Sequence, residues 1–166
     1  MPILDPAPVL EAATEAAKQA GVRILIGAGW SELARAEGTL PEYVRTVGSV
    51  DHDWLFPHCR GVIHHGGTGT TSAGLTAGCP SWIYSLFNDQ PFWGKQVSRL
   101  GVGGHSRFHH MRPRSLAAVV RLLAREDMRQ RASALGDQLR REDGVAMAIN
   151  AITGVATPRI DTARRA

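Results

Sequence analysis

Apolar positions along this chain follow two rhythms, one helical and one of short runs of strand length. Within residues 5–20, Val9, Leu10, Ala13, Ala16 and Ala17 recur at helical spacing behind an Asp5-Pro6 start signal. Gly21 ends that helix, and a buried strand is predicted over residues 22–26. Gly27-Ala28-Gly29-Trp30-Ser31 reads as a loop, and the next strand falls near residues 43–47. Residues 53–59 suit a short helix or turn, and residues 61–64 a short strand after a glycine break. A strand over 81–86 and a helix over 90–100 follow. Three successive helices are then expected over 113–125, 127–141 and 144–153. From Thr157 the chain is polar, arginine-rich and without period, so one domain is expected over residues 1–154 and a disordered tail over 155–166. Alternation of this kind predicts an α/β fold, a Rossmann-like parallel sheet with helices on both faces.

The densest local signal is the run Val62-Ile63-His64-His65-Gly66-Gly67-Thr68-Gly69-Thr70-Thr71-Ser72-Ala73-Gly74. Small and hydroxyl residues behind a strand suit a tight turn into a helix with a ready cap. Such a helix aims unpaired N–H groups and its positive dipole end at whatever stands in front, a favourable place for phosphate. No lysine follows, so the turn is not a Walker A loop. The dinucleotide fingerprint is nearly matched, but Ser72 stands where its third glycine belongs. The histidine pair is foreign to that fingerprint.

Composition narrows the classes. The 166 residues allow one domain with a proper core, and 43% hydrophobic with 20% charged residues fits a globular protein. No apolar run is long enough for a membrane span, and no basic-then-apolar leader opens the chain, which sets the expected location as cytoplasmic. Cys59 and Cys79 read as buried free thiols. Net charge is +4, but the C-terminal arginines alternate with acidic residues and few aromatics lie between them. That describes a solvated face and argues against a nucleic-acid partner. The histidines include two sequential pairs, and neighbours on a strand face opposite ways, so no metal site is expected.

Three separated motifs then carry a resemblance. His64-His65-Gly66-Gly67-Thr68-Gly69-Thr70-Thr71, Ala77-Gly78-Cys79-Pro80 and Asp89-Gln90-Pro91-Phe92-Trp93-Gly94 resemble the nucleotide-sugar signature of family 1 glycosyltransferases. The branch most similar in appearance holds the sterol 3-β-glucosyltransferases and bacterial antibiotic glycosyltransferases. Asp53-Trp54-Leu55-Phe56-Pro57 resembles that branch too, and the likeness spans residues 1–152. It implies the C-terminal, donor-binding half of a GT-B fold. It further implies transfer of a hexose, with UDP-glucose the expected donor, to a hydroxyl of a lipophilic or secondary-metabolite acceptor.

The resemblance also assigns residues. His65, with Gly67, Gly69, Thr70 and Thr71, is expected at the donor diphosphate, and Asp89 and Gln90 at the sugar hydroxyls. Asp89 is equally the residue type that caps a helix at Gln90. His64 should point the other way across its strand. Val50 and His52 are expected at the nucleoside, because Ser49-Val50-Asp51-His52 stands where sterol-type members carry Ser-Val-Pro-His. Trp82 and Trp93 read as core, and residues 105–110 occupy the place of a proline-rich loop, with their histidines on the surface. No cofactor or metal is implied beyond the nucleotide sugar as substrate.

Met1-Pro2-Ile3-Leu4-Asp5-Pro6 resembles the point just after the family's first strand, so that strand is expected to be missing. The family's base histidine belongs to the acceptor-binding half, so no catalytic residue is expected here and the isolated chain should be inactive. An unpaired sheet edge should promote self-association. Three readings stay open: a donor-domain fragment or mis-started frame, a subunit of a split glycosyltransferase needing a partner chain, and a non-catalytic nucleotide-sugar binding module.

Overall fold

A flat stripe of alanines sets the first packing contact. Helix α1 (Ala7–Ala20) buries Ala12, Ala13, Ala16 and Ala17. Side chains this small let α5 (Pro113–Leu123) approach closely with its own buried Leu116, Ala117, Val119 and Leu123. The computed structural model describes residues 7–27 and 40–156. The Asp5-Pro6 start signal, the loop beyond Gly27 and the tail from Thr157 lie outside the described residues.

Five described strands are all parallel. β1 (Ile24–Gly27) pairs with β2 (Val44–Val47), Ile24 opposite Val44. β3 (Val62–His64), β4 (Ser81–Ser85) and β5 (Gly103–Arg107) form a second sheet in that order, with Val62 opposite Ser81 and Ser81 opposite Gly103. Alternation along β4 divides the core. Trp82 and Tyr84 pack with the α1–α5 cluster, whereas Ile83 packs with Val97, Val102 and Ala132 on the other face. Val97 belongs to α4 (Gln90–Arg99) and Ala132 to α6 (Glu126–Arg141), so helices cover both faces as the alternation predicts.

One element differs from the sequence expectation. β5 lies partly where residues 105–110 were expected to form a loop with surface histidines. Gly-Gly-His-Ser-Arg has no strand propensity to read, and its extended form comes from pairing with β4 along all five residues. His105 is half-buried as a result, and its Nε2 lies 2.9 Å from the buried Ser85 hydroxyl. The segment over 53–59 resolves into α2 (His52–Leu55) and a 3-10 turn over Phe56–His58. α3 (Thr68–Thr76) follows β3 directly. α7 (Gly144–Ala156) is mostly apolar yet leaves Val145, Met147, Ile149 and Ile152 exposed.

Helix α6 closes over α3 at a backbone contact. A Cβ on Gly136 would lie 2.7 Å from both N and Cα of Gly78. Glycine to alanine inside a helix ordinarily gains about 1 kcal/mol, but overpacking against rigid backbone costs roughly 1–3 kcal/mol. Gly136→Ala should therefore lower the urea midpoint of unfolding, and an unchanged or raised midpoint would show that α6 can move away freely.

Candidate functional site

The C-terminal ends of β3 and β4 lead into the N-termini of α3 and α4, the place where open parallel sheets bind ligands. Gly66 makes the first turn possible. Its φ of 95° lies in the region only glycine enters at ease. A Cβ there would also stand 2.6 Å from Ile83 and 3.2 Å from the Gln90 Cβ. The chain then enters α3 with Gly67 as its N-cap.

Thr71 is the first residue of α3 whose N–H finds an acceptor, the Gly67 carbonyl at 2.9 Å. The amides of Thr68, Gly69 and Thr70 precede it and have no partner within the helix. Thr71 itself is buried, and its hydroxyl donates to the same Gly67 carbonyl at 2.9 Å. Both of its donors are thus spent on the turn, so Thr71 builds the site rather than facing it. His65 is exposed, with its Nε2 over the space where a Gly67 side chain would be.

Asp89 joins the second loop to the first. It begins α4 without a side-chain cap, so the alternative reading as a capping residue does not hold. Its carboxylate instead accepts from the Trp93 indole N–H at 2.9 Å and the Thr68 hydroxyl at 3.1 Å. These two donors hold its carboxyl below the usual carboxylate range, with His65 contributing from nearby. Gln90 is turned inward instead: its side-chain carbonyl accepts from the Leu86 and Phe87 amides at 2.7 and 3.3 Å. Trp93 serves the core as expected and also grips Asp89. Thr68 and this use of Trp93 were missed by sequence reasoning. Trp93 stands four residues after Asp89, a helical spacing that could have pointed to it, whereas Thr68 is 21 residues away.

His52 opens α2, and its ring stacks on Phe56 at 4.5 Å. Asp51, standing where a proline was expected, caps α2 by accepting from the Asp53 amide at 2.9 Å. Val50 is half-exposed just before it. The His64 ring meets that of His65 edge-on, with the planes nearly perpendicular and the centroids 6.4 Å apart. Burial, reinforced by His65 and His52, brings its pKa down to about 4. Among the described residues no group of three or more His, Cys, Asp or Glu could hold a metal ion, although His105 and His109 stand four apart in sequence. No helix among them is long and apolar enough to cross a membrane. A cavity of about 170 Å³ lined by Phe56, Cys59, Cys79 and Arg129 lies at the opposite end of the strands, beside the start of β4.

The sequence profile described as "Erythromycin biosynthesis protein CIII-like, C-terminal domain" matches residues 31–148. The chain belongs to that family. A sterol 3-beta-glucosyltransferase of Arabidopsis thaliana is 36% identical over 152 residues, covering 91% of this chain and 25% of that protein. One from Yarrowia lipolytica is 38% identical over 156 residues, covering 90% of this chain and 11% of its own length. The chain therefore spans a quarter or less of these two relatives. Among solved structures, the glycotransferase of kitacinnamycin superposes with a TM-score of 0.75 at 24% identity, over 92% of this chain and 40% of that one. The calicheamicin glycosyltransferase CalG4 gives 0.73 at 23%, over 94% and 42%. The EryCIII-like domain thus has the fold of the C-terminal half of GT-B glycosyltransferases.

The half-buried His64 makes a pH prediction for this domain. Unfolded, the imidazole takes a proton below its ordinary value of 6.5, while the folded form refuses it down to about 4. Between those values the unfolded state binds more protons, so stability is complete above pH 6.5 and falls as pH drops towards 4. The loss should amount to roughly 3 kcal/mol. Urea unfolding at several pH values, compared with His64→Asn, isolates it; equal pH dependence in both proteins would remove His64 as its source.

Proposed function

We propose that this domain binds the nucleoside diphosphate sugar of a glycosyltransferase, with UDP-glucose the donor. The observation that carries the reading is the Thr68–Asp89 hydrogen bond at 3.1 Å, which sets the amide-rich turn and an ionised carboxylate side by side. A diphosphate fits the N-terminus of α3, with His65 and the amides of Gly67, Gly69 and Thr70 around it. Asp89 then faces the sugar hydroxyls, as an acceptor an uncharged residue would not match. Gln90 supports the loop and can reach the sugar only with its amide nitrogen. Val50 and His52 border the nucleoside. The choice of glucose is supported by the names of the sterol 3-beta-glucosyltransferase relatives.

In the transfer, an acceptor hydroxyl attacks the anomeric carbon while the bond to the diphosphate oxygen breaks and its electron pair stays on the diphosphate. Donors already aimed at that charge lower the barrier. The base that takes the acceptor proton belongs to a second, acceptor-binding domain or chain. Exposed apolar positions on α7 suit packing against such a partner. The acceptor is a hydroxyl of a lipophilic or secondary-metabolite molecule, and this domain alone transfers no sugar.

Calorimetry with UDP and UDP-glucose tests the assignment. His65→Ala should weaken both ligands by about 1.5–3 kcal/mol, the worth of a hydrogen bond to a charged group. Asp89→Asn should leave UDP nearly unaffected and weaken UDP-glucose, while His109→Ala changes neither. If His65→Ala binds UDP as well as the wild type, the diphosphate assignment is wrong. Robust sugar transfer to a sterol or macrolide by the chain alone would sink the division of labour.

A further inference from the structure

We propose that His64 is the positioning residue for the turn, its Nδ1 accepting the Gly66 N–H and so holding His65 and the first amides of α3 towards the ligand. This rests on the reading of the turn as a diphosphate site. The bond is 3.1 Å long and closes a loop of only two residues. Gly66 is buried at a φ of 95°, where its N–H has left the strand ladder and needs a local acceptor. An imidazole that accepts at Nδ1 carries its single proton on Nε2.

That second nitrogen decides the matter. His64 Nε2 is buried and has no protein partner. An unmatched buried donor is unfavourable, and an aliphatic side chain in the same place would avoid it. An imidazole is worth its orphaned nitrogen only if the other nitrogen has work to do, and the Gly66 amide is that work. A second proton on the ring would set two donors against each other across the Gly66 bond. The groups facing His64 oppose that proton: His52 from α2 and His65 from the turn both disfavour positive charge there. The two adjacent histidines therefore divide the task, His65 towards the ligand and His64 beneath the backbone that presents it.

Two measurements test this, one without ligand. In the wild-type chain, the ring nitrogen shifts of His64 should show a neutral imidazole protonated at Nε2 from neutral pH down to about pH 5. A proton on Nδ1, or titration near the ordinary histidine range, overturns the proposal. In the second, UDP is titrated into His64→Asn, whose amide oxygen can replace Nδ1, and into His64→Leu, which offers no acceptor. His64→Asn should bind within about threefold of wild type and His64→Leu at least about tenfold more weakly, both with wild-type circular dichroism. Equal binding by His64→Leu and wild type overturns the proposal, as does His64→Asn binding as weakly as His64→Leu. Should His64→Leu fail to fold, the His64→Asn titration and the ring shifts decide. Should the wild type ignore UDP, the nucleotide reading fails, and the ring shifts alone decide whether His64 holds the turn.

Discussion

One backbone position constrains the whole site. Gly66 passes between the Ile83 side chain and the start of α4, in a left-handed conformation and with no space for a Cβ. Because it fits there, the β3–α3 turn and the β4–α4 loop are forced into contact, and Thr68 can reach Asp89. Ile83 is fully buried among Val97, Val102 and Ala132, so the wedge rests on the core and not on another loop. Rigid packing beneath a glycine turn is what lets exposed groups keep fixed positions without a side-chain network of their own.

The far ends of the same two helices are handled by α6. The Arg140 guanidinium donates to the Thr76 carbonyl at the end of α3, and Arg131 donates to the Gly101 carbonyl just past α4 at 2.8 Å. Cations at helix C-termini oppose the negative dipole ends and satisfy carbonyls that have no partner. Asp127 orders this face by pairing with Arg125 at 2.9 Å and Arg131 at 3.2 Å. The arginine-rich stretch is thus partly explained by fold construction: positive charge sits where α3 and α4 finish, and unpaired amides where α3 begins. The exposed ion pairs add little by themselves; their use is to hold the guanidinium groups over the helix ends.

Much of this was legible in the sequence because it follows from local rules. Glycines and hydroxyls behind a short apolar run told of a strand, a turn and a helix, and β3, Gly66, Gly67 and α3 stand in that order. What could not be read were the long-range partners. β5 has a composition no propensity scale marks as strand and exists because β4 offers it a ladder. Whether the Asp89 side chain capped α4 or reached across depended on Thr68, at the start of α3. Thr71 and Gln90 look like ligand residues in one dimension, and only folding shows both turned to hold the backbone. Residue type was readable, whereas the direction of a hydrogen bond was not.

The chemistry of the turn also limits how tightly it alone could hold the proposed diphosphate. Residues 64–71 include no lysine or arginine, so an anion there meets only amides, hydroxyls and imidazole. Hydrogen bonds to a charged group contribute about 1.5–3 kcal/mol each at best, and three free amides with His65 give only a few such bonds. Association costs roughly 4–15 kcal/mol in lost freedom. Thr68, Gly69, His65 and Asp89 are all exposed, so water competes for every one of these bonds. Excluding that water strengthens each interaction without changing any residue of the turn. On the proposed reading, the turn supplies orientation, and the strength of binding depends on the second domain or chain that closes against it.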